Sequence, residues 1–227
     1  MKTILLKVSG EVLNHDAILA GSIARQLAQL TQTHTIGVVV GGGNFFRGAK
    51  EGKEWGLAAT TGDAVGMLAT VMNGLILQDL FGKAGIACTL LSALPIAGVV
   101  QPISQEAIIN AHAQKKVIIF VGGTGSPYFS TDTTAIVRAL QMGAQEIWKA
   151  TKVGFIYDSD PAINQGAKPL TTVTYDHVLK NNLRIMDQTA FALAQEHKLT
   201  IRVFNIFEKD ALIKVADNPN VGSTLRS

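Results

Sequence analysis

The chain has 227 residues, of which 47% are apolar and 16% charged, and its net charge is +3. This composition supplies an ordinary core and excludes a disordered chain. The charge is too small and too dispersed for a nucleic-acid binder, and 6% aromatic residues do not make a base-stacking platform. Small anionic ligands held by a few placed lysines and arginines fit better.

Met1-Lys2 leads directly into Thr3-Ile4-Leu5-Leu6-Lys7, an apolar stretch too short for a signal peptide. The single cysteine, Cys88, lies in an apolar run, cannot form an intramolecular disulfide and reads as a small core residue. A reducing cytoplasm is therefore expected. The length allows one large domain or two intimate lobes, and no Gly/Pro/Ser linker divides it; a soft boundary falls near Gln114–Val117.

Thr3–Val8 reads as a strand ending at Lys7-Val8-Ser9-Gly10. A lysine in so apolar a strand is not buried unpaired; it either meets solvent at the strand end or reaches an anion site. Asp16 can cap a helix over Ala17–Thr31, with Ile23, Leu27 and Leu30 on one face. Strand Ile36–Val40 runs into Gly41-Gly42-Gly43-Asn44-Phe45-Phe46-Arg47-Gly48. A buried strand that ends in three glycines and then an arginine suits a cluster of anionic oxygens, most simply phosphate; an ordinary glycine turn is the other reading. The Walker pattern is absent, and Phe46 stands where a dinucleotide fingerprint needs its third glycine.

Gly62–Lys83 reads as a long helix, apolar on most faces from Val65 to Leu80, and so buried, in part by another subunit. Ala84 to Gln105 contains no charge, but Gly85, Pro95, Gly98 and Pro102 exclude one membrane-spanning helix; strand Ile86–Leu91 and an apolar loop fit instead. Then follow helix Ser104–Gln114, strand Val117–Val121, helix Thr131–Met142 and strand Glu146–Ala150. Shorter helices follow near Tyr175–Lys180 and Thr189–His197, then strand Ile201–Phe204 and helix Asp210–Ala216. Strands alternating with helices predict right-handed βαβ units and a mainly parallel sheet covered on both faces.

Polar and glycine clusters follow four strands, at Ser9-Gly10-Glu11, Gly41–Asn44, Gly122–Thr124 and Thr151-Lys152. In open α/β sheets the ligand site lies at the carboxyl ends of the strands. The segment Gly122 to Asp132 carries glycines, hydroxyls and a proline into a helix start. It offers N–H groups, hydroxyl donors and a positive helix end; capping accounts for one of Ser130, Thr131 and Asp132, not for the whole set. Lys149 and Lys152 close the next strand, and Tyr157, Asp158 and Asp160 follow. His15, His34, His112, His177 and His197 fall on predicted surface helices or loops, so no histidine- or cysteine-based catalytic arrangement is evident.

These residues resemble the bacterial UMP kinases (uridylate kinases) of the amino acid kinase superfamily. The likeness is carried by Lys7-Val-Ser-Gly-Glu11, Gly41 to Gly48, Gly62-Asp63, Met67 to Gly74, Thr124 to Asp132, Lys149-Ala-Thr-Lys-Val153, Asp160-Pro161, Met186-Asp187 and Arg202-Val-Phe-Asn205. They stand in the family's order over nearly the whole length. The resemblance implies a three-layer αβα sandwich, with a UMP lobe over about residues 1–115 and an ATP lobe over about residues 116–227. It implies transfer of a phosphoryl group from Mg-ATP to UMP and a homohexamer, with Mg²⁺ held mainly by the ATP phosphates and no protein metal ligand.

By the same resemblance Lys7, Val8, Ser9, Gly10, Gly43, Arg47, Thr151, Tyr157 and Asp160 would contact ATP. Gly42, Arg47, Asp63, Thr124, Gly125, Ser126, Pro127, Tyr128, Phe129, Ser130 and Thr131 would contact UMP. Lys7, Asp132 and Lys152 would form the catalytic set, with Asp132 orienting both lysines; the role of Asp187 is open. Three departures stand out. Gly154-Phe155 replaces the family's usual Asp-Gly on the ATP side. Val12–Ala17 lacks the glycine-rich loop of longer relatives, which implies weak or absent activation by GTP. Ser126 replaces a commoner asparagine, which implies a change of affinity rather than of substrate. A carboxylate- or carbamate-phosphorylating relative, and a non-catalytic nucleotide-binding or storage assembly, are the rival readings.

Overall fold

Both faces of β1 (Lys2–Val8) are apolar, which places it inside the sheet. Ile4, Leu5 and Leu6 are all 0% exposed. Ile4, Leu6 and Val8 join the core on one face of the sheet and Leu5 the core on the other, the continuous apolar run of a strand covered twice. The computed structural model describes residues 1–14, 17–161 and 163–227; Asp16, the expected cap, lies outside them. A 3-10 turn, Gly10–Leu13, follows β1. The chain continues through α1 (Ala17–Leu30), β2 (His34–Val40), a π-helical turn at Gly48–Gly52, α2 (Ala59–Lys83), β3 (Cys88–Ser92), β4 (Gln101–Pro102), α3 (Gln105–Ala113), β5 (Val117–Val121), α4 (Thr131–Met142) and β6 (Glu146–Thr151). Then come β7 (Ile156–Tyr157), β8 (Pro169–Leu170), β9 (Thr172–Thr174), α5 (Tyr175–Lys180), α6 (Gln188–Glu196), β10 (Thr200–Asn205), α7 (Ala211–Asp217) and β11 (Ser223–Arg226).

The main sheet has the order β4-β3-β5-β2-β1-β6-β10-β11-β9. Among the described residues every pairing in it is parallel except that of β10 with β11. α1, α2 and α7 cover one face through Ile23, Leu27, Leu77, Phe81 and Leu212, and α3, α4, α5 and α6 cover the other through Ile108, Ile136, Val178 and Ala194. The result is the expected αβα sandwich.

The differences from the sequence expectation have local causes. β9 and β11 are short and polar, and their pairing depends on β10, which is distant in sequence from β9. β7 and β8 form a separate two-stranded ribbon. His34 opens β2 rather than lying on a surface helix or loop. Its ring meets the edge of Trp148 at 5.8 Å, and burial pulls its pKa down. Cys88 is half-buried at the start of β3, with Sγ 3.8 Å from the carbonyl of Gln78.

α2 is not buried all round. Val71, Leu77 and Phe81 pack inward, whereas Leu68 (49%), Met72 (46%), Leu75 (38%) and Ile76 (42%) are exposed. Among the described residues it is the one helix long and apolar enough to cross a membrane by length and composition. Its packing against β3 and β5 is that of a core helix.

Candidate active site

β5, β2, β1 and β6 are consecutive, parallel neighbours in the sheet. Their carboxyl ends therefore share one edge, and the loops that begin at Ser9, Gly41, Gly122 and Lys152 all leave the sheet there. On this edge Lys7 of β1 lies opposite Lys149 of β6 in the strand register. Side chains alternate along a strand. Trp148 and Ala150 enter the core beneath α1 and α7, so Lys149 turns to the α4 side. Lys7 does the same, two residues after Leu5.

The first turn of α4 brings Asp132 over both lysines. Its Oδ1 is 2.9 Å from Lys7 Nζ and its Oδ2 is 2.5 Å from Lys149 Nζ, with all three side chains at 18% exposure or less. Burial works to raise the Asp132 carboxyl, but Lys7 and Lys149 outweigh it and hold it below the usual carboxylate range. Burial draws Lys149 down despite Asp132, and Lys149 also donates to the carbonyl of Ile185 at 2.8 Å.

This corrects the expectation that Asp132 orients Lys7 and Lys152. Lys152 lies beyond the end of β6, is 67% exposed and pairs with Glu11 Oε2 at 2.5 Å. The other oxygen of Glu11 accepts from the Arg47 guanidinium. The Lys152 hydrogen bond holds Glu11 low, aided by Arg47 and opposed by partial burial. Glu11 thus links a cation that follows β2 to one that follows β6.

The glycine loops are tight. A Cβ on Gly10 would lie 2.3 Å from Asn44 Oδ1 and 2.6 Å from the carbonyl of Gly41, and one on Gly42 would lie 2.6 Å from the carbonyl of Gly66. The Gly41 N–H donates to the carbonyl of Val8 at 3.0 Å. Val8 itself points into the core at 3% exposure, so it offers a ligand backbone only. Ser9 accepts from Glu11 N at 3.3 Å and caps the following turn. Arg47 folds back, its Nε donating to the carbonyl of Gly43 at 3.0 Å.

The segment from Gly122 to Asp132 is held from α2 and α6. Asp63 Oδ2 accepts from the Tyr128 N–H at 2.7 Å, joining two predicted UMP contacts. Gly122, Gly123, Gly125 and Tyr128 all have φ between 59° and 85°, and Tyr128 alone among them carries a side chain there, 75% exposed. Thr124 Oγ1 donates to the carbonyl of Ser126 at 3.0 Å and accepts its N–H at 3.2 Å. Pro127 and Phe129 flank Tyr128, and Phe129 is 49% exposed. Ser130 caps α4 by accepting from Asp132 N and Thr133 N, and Thr131 opens the helix. Asp187 accepts from Ser130 and Thr133 and caps α6 through Ala190 N. It thereby ties the starts of α4 and α6 together.

On the remaining side Thr151 closes its own turn, donating to the carbonyl of Val153 at 2.6 Å. Tyr157 lies on β7 and Asp160 in the connection from β7 to β8. The ribbon is fastened to the sheet by Ile156 N, which donates to Ser223 Oγ at 2.7 Å.

Sequence reading placed Asn44 in a site cluster and Thr70 and Asn73 in a family motif but gave none of them a supporting role, and it passed over Arg138. Asn73 and Arg138 are 0% and 5% exposed, and Arg138 donates to the carbonyl of Gly123 at 2.8 Å. A polar residue at an inward position of an apolar helix is the available signal, because burial requires a partner.

The sequence matches the amino acid kinase family over residues 2–205. It is 41% identical to the uridylate kinase of Haemophilus influenzae, with 99% of this chain and 97% of that protein covered. The fold superposes on the UMP kinase of Ureaplasma parvum with a TM-score of 0.95 at 33% identity, covering 100% of this chain and 99% of that one. The UMP kinase of Bacillus anthracis gives a TM-score of 0.93 at 29% identity, covering 99% and 96%. From end to end, in sequence and in fold, the chain belongs to the amino acid kinase family.

Proposed function

We propose that this chain transfers the γ-phosphoryl group of ATP to the phosphate of UMP, yielding ADP and UDP for pyrimidine nucleotide synthesis in the cytoplasm. The observation that carries the reading is the Lys7–Asp132–Lys149 cluster, set where the glycine loops meet at the carboxyl edge of the sheet. The uridylate kinases among the relatives support the choice of acceptor.

The attacking group is an ionised phosphate oxygen, so no general base is needed; catalysis rests on alignment and on neutralising charge at the equatorial oxygens. Lys7 is the catalytic residue best placed for the transferring group. Asp132 holds its ammonium in position and is itself kept ionised by Lys149. Backbone N–H groups of Gly10, Gly42 and Gly43 would add donors along the phosphates. Lys152 and Arg47 are the exposed cations for the donor and acceptor phosphates, and Asp63 and the segment Thr124–Thr131 would hold UMP. Thr151, Tyr157 and Asp160 would border ATP.

Both oxygens of Asp132, the carboxylate at the centre of the site, face lysines rather than an open cation position. This donor set fits a magnesium ion carried on the nucleotide phosphates, where it would supply further charge neutralisation. The N-terminal lobe would bind UMP and the C-terminal lobe ATP, with β1 and β6 adjacent at the junction. The exposed apolar residues of α2 suit self-association, and a hexamer is the assembly proposed.

ADP release is to be measured with Mg-ATP and UMP, CMP, dUMP, carbamate or acetylglutamate. Turnover with UMP well above the rest is expected. A folded protein that binds ATP and turns over none of them would overturn the reading.

A further inference from the structure

α2 carries two buried polar side chains one turn apart, Thr70 at 6% and Asn73 at 0% exposure. On the inner face of an apolar helix such groups cost stability unless every polar atom is paired. Both are paired, and in each case with a glycine loop of the site. Asn73 Nδ2 donates to the carbonyl of Gly41 at 2.6 Å and to Asn44 Oδ1 at 2.7 Å, and Asn44 Nδ2 donates back to Asn73 Oδ1 at 3.0 Å. Thr70 Oγ1 accepts from the Gly122 N–H at 2.8 Å and donates to the carbonyl of Met67 at 2.7 Å. One helix thus grips the loop that follows β2 and the loop that follows β5.

The Asn73 contact extends to the first loop. A Cβ on Gly10 would lie 2.9 Å from Asn73 Nδ2 as well as against Gly41 and Asn44. The backbones after β1 and β2 therefore close around one carboxamide. A carboxamide suits this point because it donates and accepts at once without introducing charge. Leucine would fill similar space and do neither.

We infer that Asn73 and Thr70 are positioning residues for phosphoryl transfer. Asn73 fixes the Gly41–Gly43 backbone relative to the transferring group, and Thr70 fixes the start of the acceptor segment at Gly122. The inference rests on the reading of these loops as phosphate and acceptor sites. The two roles separate kinetically. Displacing the Gly41–Gly43 amides by about 1 Å weakens transition-state alignment, at a cost of about 10²-fold in kcat. Loosening Gly122 weakens acceptor binding.

Asn73→Leu, Thr70→Val and Thr70→Ser are to be compared in steady-state kinetics, thermal unfolding and amide hydrogen exchange. Asn73→Leu is expected to lose about 10²-fold in kcat while KM for both nucleotides stays within about threefold. Its faster exchange is confined to Gly41–Asn44. Thr70→Val raises KM for UMP roughly tenfold, as for one lost hydrogen bond to a buried N–H, with faster exchange at Gly122–Gly125; Thr70→Ser restores both. Near-normal kcat and unchanged exchange in Asn73→Leu would overturn the inference. So would exchange that rises across the whole sheet, with Thr70→Ser as impaired as Thr70→Val. The expected exchange patterns in a chain whose wild type does not phosphorylate UMP would sink the acceptor assignment and leave the loop-holding role standing.

Discussion

Lys7 on β1 and Lys149 on β6 face each other across the strand register and share the carboxylate of Asp132. Two ammonium groups side by side repel, and the carboxylate between them makes the arrangement tolerable. Only Lys7 is followed, after Val8, by the Ser9-Gly10 turn that packs against the Gly41 loop. Lys149 is anchored a second time, on the carbonyl of Ile185, and is therefore less free than Lys7 to turn toward a ligand. Lys7→Met is therefore expected to fold normally and to lose roughly 10²–10³ in kcat, as when one preorganised donor is removed. Circular dichroism and ADP release test this, and near wild-type kcat would remove Lys7 from the catalytic set.

Lys149→Met and Lys152→Met should differ in kind. Lys149 is 13% exposed and its loss leaves Asp132 with a single cation, whereas Lys152 is 67% exposed. Breaking a buried pair from one side is costly, and a surface pair contributes at most about 1 kcal/mol. Thermal unfolding should show a lower midpoint for Lys149→Met and an almost unchanged one for Lys152→Met. The Lys152 variant should instead raise KM for ATP. Equal midpoints for the two variants would contradict the placement of Lys149.

Asp132 also sets an acid limit. Burial works against its ionisation, but Lys7 and Lys149 hold its pKa below the ordinary value of 3.8. A carboxyl lowered on folding stabilises the native state fully above its unfolded pKa, and that contribution is lost as pH falls through the lower folded value. Stability should therefore decline as pH falls from about 4. Asp132→Asn should be less stable at neutral pH and show a shallower decline in the same window, measured by denaturant unfolding across pH.

Glu11 occupies the two cations, Arg47 and Lys152, that incoming phosphates would use. Its carboxylate both competes with phosphate and repels it. Glu11→Gln is predicted to lower KM for ATP and UMP by roughly two- to fivefold, the size of an exposed ion pair. A rise in both values would show that Glu11 organises the cations rather than competing for them.

Gly10→Ala tests the loop junction. Its Cβ would lie 2.6 Å from the backbone carbonyl of Gly41, and backbone cannot swing aside as a side-chain end can. The loops must part, so kcat should fall by about 10²-fold or more. Normal kinetics would mean that the junction is looser than its contacts imply.

Much of this architecture was legible because hydrophobic runs and punctuating residues act locally. Val117–Val121 and Thr131–Met142 fall where their patterns place them, with Ser130 as the cap. The convergence of four polar clusters followed from parallel pairing alone. The partner of Asp132 did not, because choosing between Lys149 and Lys152 requires the strand's phase. Trp148 supplies it, since a buried indole on one face sends its neighbour to the other. Asn73 stands inside the Met67–Gly74 motif, but its role was not legible because its partners, Gly41 and Asn44, are brought near by tertiary packing rather than by sequence. β9 and β11 were unreadable for the same reason: their few polar residues become strands only beside a strand already in place.

That last pairing bears on how the chain is made. Among the described residues β9 reaches the main sheet only through β11, which lies between it and β10. A ribosome delivers β9 and β10 before β11 exists, so the nascent sheet ends at an open β10 edge while β9 waits without a partner. An unpaired strand edge is a site for wrong association. Until β11 emerges and pairs, the β10 edge is thus open to mispairing.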